Sequence, residues 1–144
     1  MSVKDKAMEY HNAGYNCSQS VLAACSKYTG LKEKTALAIS AGFGTGVRSG
    51  EICGAISGAV MALGLAFPAK DSSDAEAKKR MTTITKKCVS AAKCKYGCVR
   101  CAELKKNCVS CSEMIETMAQ TAEKIIIETK KQERRKKWKF TKNS

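Results

Sequence analysis

The sequence predicts an all-α protein, a compact single-domain bundle of about five to six helices with a cysteine-rich segment before the last one. Three observations carry that expectation. Alanine, lysine, glutamate and methionine dominate the chain, and these side chains lose little freedom on entering a helix. The alternating runs of Val, Ile, Thr and aromatics that build strands are missing. A single proline, Pro68, interrupts the chain. With 144 residues, 44% of them hydrophobic, one domain can bury a core of its own. No repeat of 20 to 50 residues divides it.

The elements follow from their caps and stripes. A first helix covers about Val3 to Asn12 and stops at Gly14. Asn16 caps the second, with Gln19 in the reciprocal capping-box position. Its apolar stripe runs Cys17, Val21, Ala24, Cys25, Tyr28, and Gly30 ends it. A short helix is expected over Glu33 to Ser40. Gly42, Gly44, Gly46 and Gly50 then form a loop into a helix from about Glu51 to Ala66, with the stripe Cys53, Ile56, Val60, Leu63, Phe67. Ser73 and Glu76 read as a capping box for a helix reaching Cys88 or beyond. The segment Cys88 to Cys111, which contains Gly97, reads as irregular or short-helical. Ser110 and Glu113 cap a long last helix with the stripe Cys111, Met114, Ile115, Met118, Ala122, Ile125.

The division expected is a helical cysteine-rich redox domain over residues 1–128 and a basic tail over residues 129–144. From Lys130 to Lys142 the chain carries eight Lys and Arg against one Glu, about half of its net charge of +13. Trp138 and Phe140 lie among these cations. A solvated helix end, its lysines complementing the dipole, is the plain reading of the tail. Contact with an anionic membrane surface or a partner comes next, and nucleic acid comes last. His11 has no motif around it and reads as a surface or packing residue.

Met1 to Ala13 is charged and lacks the apolar region of a signal peptide, so a cytoplasmic location is expected. Ile52 to Ala69 carries no formal charge, but five of its positions are Gly, Ser or Pro, which favours a buried helix over a membrane span.

Nine cysteines against one histidine are the main chemical signal. In a reducing compartment they point to metal ligation or redox thiols rather than structural disulfides. Cys17, Cys53 and Cys111 each fall in the first turn of an expected helix and lead its apolar stripe. Three helix starts can therefore turn thiols into one region, where the dipole and free amides favour thiolate. Thiolates with few histidines select iron–sulfur clusters, zinc or copper(I). Cys25 lies two turns in and reads as a small core hydrophobe. The run Cys88, Cys94, Cys98, Cys101, Cys108, Cys111 holds two Cys-x-x-Cys pairs and suits a second metal site or a zinc knuckle of Cys98, Cys101, Cys108 and Cys111. Gly54 and Gly58, one turn apart, allow a close approach of another backbone or a cofactor.

The segments GYNCSQSVL (Gly14 to Leu22), GFGTGVRSGEICGAISGAVMALGL (Gly42 to Leu65), YGCVRCAEL (Tyr96 to Leu104) and CSEMIETMA (Cys111 to Ala119) resemble the C_GCAxxG_C_C family. That family is described as redox-active proteins of about this length with four characteristic cysteines and a CGAxxG motif. The resemblance implies a helical redox protein, often encoded beside transporter genes, so a redox partner or a transporter-associated protein is expected. The matching residues are Cys17, Cys53 within CGAISG, Cys101 and Cys111. This chain adds Cys88, Cys94, Cys98 and Cys108, which could supply a second metal site or rearrange ligation at the first.

The leading expectation is an iron–sulfur cluster, of 4Fe-4S type, held by Cys17, Cys53, Cys101 and Cys111, for electron transfer or redox sensing of the kind found in anaerobes. Cys88, Cys94, Cys98 and Cys108 are candidates for a second site. The alternatives are a metal-free thiol redox or sulfur-carrier protein with Cys53 as the attacking thiolate, or an interaction module built on structural zinc. A homodimer is compatible with all three.

Overall fold

The structure, a computed structural model, describes residues 1–143, and among these it is all-α. Eight helices follow in order: α1 (Val3–Asn12), α2 (Cys17–Ala24), α3 (Ser26–Thr29), α4 (Glu33–Ser40), α5 (Gly54–Ala66), α6 (Ala75–Tyr96), α7 (Cys101–Lys106) and α8 (Cys111–Asn143). Six of them have seven residues or more. Helix α5 is the central element and packs against α2, α3, α6 and α8, while α1 lies across α2 and α8. Its sequence explains that position. It is alanine- and glycine-rich on every side, so neighbouring helices approach closely, and it is the most hydrophobic helix of the fold.

The core between them is filled by Leu22, Ile56, Leu63, Met114, Ile115, Met118 and Ile126, all essentially sealed from solvent. The small residues of α5 set the spacing. A Cβ on Gly58 would lie 2.7 Å from the Ser18 carbonyl oxygen, so the crossing of α2 over α5 exists only because that position has no side chain. Ile115, completely buried where α8 meets α5, is expected to cost about 2–5 kcal/mol when replaced by alanine, because the cavity left there cannot collapse. Chemical denaturation of the Ile115→Ala variant checks this.

Four expectations change in detail. The second helix does not run unbroken to Gly30: it stops at Cys25 (φ −86°, ψ 10°) and restarts as α3, which Gly30 ends in the left-handed conformation. The central helix starts at Gly54, with Glu51 to Cys53 extended. Asp74 rather than Ser73 caps α6, its carboxylate accepting from the Ala77 amide at 3.1 Å, because a carboxylate is the stronger acceptor one position closer to the helix. The segment Cys88 to Cys111 differs only in its first part: α6 continues to Tyr96 and ends at left-handed Gly97, since nothing between Cys88 and Lys95 disfavours a helix, whereas the rest is the short helix α7 between two turns, as expected.

Residues Lys130 to Lys142 continue α8. Arg80 on α6 pairs with Glu133 at 2.6 Å, and beyond this contact the helix is exposed, Trp138 and Phe140 included. Among the described residues, no helix is long and apolar enough to cross a membrane.

Candidate redox site

Cys17 is the first residue of α2, and the sequence before it fixes where it points. Asn16 accepts from the Gln19 amide at 3.0 Å, and the Gln19 side chain accepts from the Asn16 amide at 3.1 Å, closing the capping box. The Asn16 amide group also donates to the Ala41 carbonyl at 3.0 Å, and Gln19 donates to the Leu37 carbonyl at 2.9 Å. The start of α2 is thereby tied to the end of α4 and the loop after it. Asn16→Ala removes both the cap and the tether, and a loss of about 1–2 kcal/mol is expected in a denaturation experiment.

Cys53 reaches the same place along a different path. Glu51 to Cys53 pairs antiparallel with Val99 to Cys101: the Cys53 amide donates to the Val99 carbonyl at 2.9 Å and the Cys101 amide to the Glu51 carbonyl at 2.7 Å. The Arg100 guanidinium clasps the Glu51 carboxylate through Nε at 3.0 Å and Nη2 at 3.3 Å on the outer side. Cys53 then sits as the N-cap of α5. The next residue must be glycine, because a Cβ on Gly54 would lie 2.6 Å from the Cys17 sulfur and 2.6 Å from the Phe43 carbonyl oxygen. The Cys-Gly step thus lets the Cys17 sulfur lie against the backbone beside Cys53.

The two thiols lie side by side, close enough to interact, and both are nearly buried, at 7% and 5% exposure. Of the two, the surroundings favour the negative charge on Cys17. Its sulfur accepts from Cys53, and the backbone amides of Thr45, Ser18 and Cys17 itself also favour the charge. Together they outweigh burial and bring it down to about 6. Cys53 moves up: its role as hydrogen-bond donor to Cys17, its burial and the Cys17 charge outweigh the Ala55 and Ile56 amides at the head of α5. The sequence made Cys53 the attacking thiolate of the metal-free alternative; the surroundings favour the charge on Cys17. Both cysteines head helices, but the loop amide falls on only one of them.

That amide comes from an unusual backbone. Thr45, Gly46, Val47 and Arg48 are all left-handed, with φ of 53°, 61°, 57° and 60°. Each non-glycine residue in this region costs roughly 1–2 kcal/mol. Gly46 lies so close to the Glu51 backbone that no Cβ fits, and the Glu51 amide donates to the Gly46 carbonyl at 3.0 Å. The Arg48 guanidinium donates to the Ala41 carbonyl at 2.9 Å and closes the loop. Strain of this kind persists where the surroundings over-determine it, and here it aims an amide at a thiolate. The glycine spacing signalled a turn but not its handedness, so Thr45 was missed.

Cys111, the first residue of α8, is exposed but stands within electrostatic reach of both Cys17 and Cys101. Burial and the Cys17 charge push its thiol up, against the pull of Lys105. The Ser112 hydroxyl beside it meets His11 Nε2 at 3.1 Å, so the lone histidine pins α1 to the start of α8. Cys101 is buried at the start of α7. The four motif cysteines thus head α2, α5, α7 and α8 and gather at one end of the bundle. Only Cys17 and Cys53 lie side by side, and among the described residues no three His, Cys, Asp or Glu side chains are grouped so as to hold a metal ion.

The other cysteines are scattered. Cys88 is sealed in the core on α6 near Cys25, and burial pushes both thiols up to about 12. Cys94 is exposed on α6. Cys98 is buried in the turn after it, bonded to the Tyr96 carbonyl and the Asn107 side-chain amide, each at 3.7 Å. Cys108 is exposed between α7 and α8.

The family model described as "Putative redox-active protein (C_GCAxxG_C_C)" matches residues 15–125. The chain belongs to the C_GCAxxG_C_C family. The matched span begins two residues before Cys17 and contains all four motif cysteines, whereas the exposed end of α8 lies outside it. No curated protein and no solved structure gives a significant match. In this C_GCAxxG_C_C protein the CGAxxG element has a structural reason at three of its four fixed positions. Cys53 lies beside Cys17, Gly54 makes room for the Cys17 sulfur, and Gly58 makes room for the backbone of α2.

Proposed function

We propose that this protein is a thiol redox protein whose working pair is Cys17 and Cys53, cycling between a thiolate–thiol and a disulfide. The observation that carries this reading is the placement of the nearly buried Cys17 sulfur against Gly54, beside Cys53, where the surroundings favour charge on Cys17. The chemistry balances with a disulfide-class acceptor. The Cys17 thiolate attacks one sulfur of the acceptor, forming a mixed disulfide and expelling a thiolate. Cys53 then gives up its proton and attacks the Cys17 sulfur, closing the Cys17–Cys53 bond and releasing the second thiol. Two electrons pass to the acceptor.

The test is to oxidise the reduced protein anaerobically with glutathione disulfide and map the peptides. A Cys17–Cys53 linkage as the first product is expected. Oxidation that leaves both as free thiols while other cysteines pair would overturn the reading.

A second reading is a cluster or metal protein of the kind the sequence suggested, for electron transfer or redox sensing. The placement of the four motif cysteines at four helix starts favours it. To hold a shared group, Cys101 and Cys111 would have to draw in toward Cys17 and Cys53. Iron, sulfide and zinc analysis of anaerobically purified protein, with a visible spectrum, tests it: a brown protein whose colour is lost in Cys17→Ser and Cys53→Ser would displace the thiol reading.

A further inference from the structure

Cys17 and Cys53 are too deeply buried for a protein thiol to reach either of them directly. A redox pair in that position needs a route to the surface, and the only neighbouring motif cysteine with an open side is Cys111. Three residues before it stands Cys108, exposed and held at φ 62°, a conformation a β-substituted residue rarely takes. The turn is fixed from both sides. The Cys108 amide donates to the Lys105 carbonyl at 3.1 Å, the Val109 amide to the Leu104 carbonyl at 2.9 Å, and the Ser110 hydroxyl accepts from the Glu113 amide at 3.1 Å as the cap of α8. Cys-Val-Ser-Cys at a helix start is the spacing at which a disulfide can close across one turn.

We propose that Cys108 and Cys111 form a surface dithiol that relays oxidising equivalents from the buried Cys17–Cys53 pair to an external dithiol protein. This rests on the Cys17–Cys53 reading. The Cys111 thiolate attacks the Cys17 sulfur of the buried disulfide. The Cys17–Cys53 bond breaks, Cys53 leaves and takes up a proton, and a Cys17–Cys111 bond forms. The Cys108 thiolate then attacks the Cys111 sulfur, returning Cys17 as thiolate and closing Cys108–Cys111 on the surface. An external dithiol reduces that bond and is itself oxidised to a disulfide, so sulfur, electrons and protons balance.

The electrostatics give the relay a direction. With the pair reduced, the Cys17 charge opposes ionisation of Cys111; once Cys17 is in a disulfide that opposition is gone, while Lys105 still favours the Cys111 thiolate. Burial still raises the Cys111 thiol, and oxidation of the buried pair removes only the part due to the Cys17 charge, so Cys111 ionises more readily then than before. Val109 and Ser110 space the two cysteines without contributing charge, leaving Cys108 as the sulfur an incoming protein meets first.

The experiment uses the full chain. In Cys53→Ser/Cys108→Ser, one equivalent of glutathione disulfide is expected to leave a Cys17–Cys111 linkage, the trapped first intermediate, by peptide mapping. Reduction of the oxidised wild-type protein by reduced thioredoxin is expected to slow by about tenfold or more in Cys108→Ser, with circular dichroism confirming an unchanged fold. Failure of the double variant to link Cys17 to Cys111, or an unchanged rate in Cys108→Ser, overturns the relay. The buried pair is judged separately in Cys111→Ser: a Cys17–Cys53 disulfide there upholds the pair even when the relay fails, and its absence overturns both.

Discussion

Gly54→Ala is expected to damage both the fold and the site. The new methyl would stand 2.6 Å from the Cys17 sulfur and 2.6 Å from the Phe43 carbonyl. The Phe43 oxygen belongs to backbone, and the Cys17 sulfur has no free direction because α2 is held by its capping box. Either α5 moves off α2 or Cys17 leaves Cys53. Overpacking of this sort costs about 1–3 kcal/mol, and denaturation of the reduced protein reads it. The same variant is expected to lose the low-pH thiolate, which a pH titration of thiolate ultraviolet absorbance follows. Gly46→Ala is the companion case and tests the loop alone. There a Cβ meets the Glu51 backbone at a left-handed position, so the loop carrying the Thr45 amide has to open while α2 and α5 stay packed. A Gly54→Ala protein with wild-type stability and an unchanged thiolate titration would mean that the Cys17 sulfur does not rest where the structure places it.

Cys53→Ala is expected to have the larger effect on chemistry. The bond from Cys53 is the first cause holding Cys17 at about 6, and without it the titration moves up toward the ordinary thiol value of 9.0. The remaining amides of Thr45 and Ser18 keep part of the shift. At neutral pH the variant therefore has less thiolate and no resolving thiol. In Cys53→Ala/Cys111→Ser, where neither neighbouring thiol remains, attack on a disulfide is expected to stop at a mixed disulfide that mass spectrometry detects as an adduct on Cys17. A titration that does not move on removing Cys53 would rule out the sulfur–sulfur bond as the source of the low value.

The same groups set how stability of the reduced protein depends on pH. Cys17 ionises at about 6 when folded and near 9.0 when unfolded. Between these values the unfolded chain binds more protons, so stability rises with pH, and this contribution is lost as pH falls through about 6. Cys25 and Cys88, at about 12 when folded, and Cys53, also raised, act in the opposite sense. Above about 9 the unfolded chain ionises these thiols while the folded protein keeps them neutral, so stability falls with pH. Denaturation under reducing, anaerobic conditions is expected to show a maximum between these two limbs. A steady fall in stability from pH 6 to 9 would contradict the assignment of Cys17 as the thiolate.

The sequence by itself determined the helical class, most element starts and the family. Asn16 with Gln19, and Ser110 before Glu113, are local capping signals that act within one turn, and each sits where its spacing placed it. Glu33 to Ser40 and Val3 to Asn12 formed over the ranges read from the sequence. CGAISG marked the right neighbourhood because its glycines are constrained by contact. What the chain could not show are the features made by residues far apart in it. The break at Cys25 is one, where α3 turns to pack against α5. The continuation of α6 is another, because α8 covers its inner face and the cysteine-rich composition hid an ordinary helical run. The roles of the cysteines belong here as well. Cys17 and Cys53 carry the same local signal, a thiol at a helix start, and local chemistry gives them equal claim to the negative charge. The tertiary structure separates them by bringing a third strand of chain, the left-handed loop at Thr45, to only one of the two, because an amide donor is worth most on the sulfur that it faces.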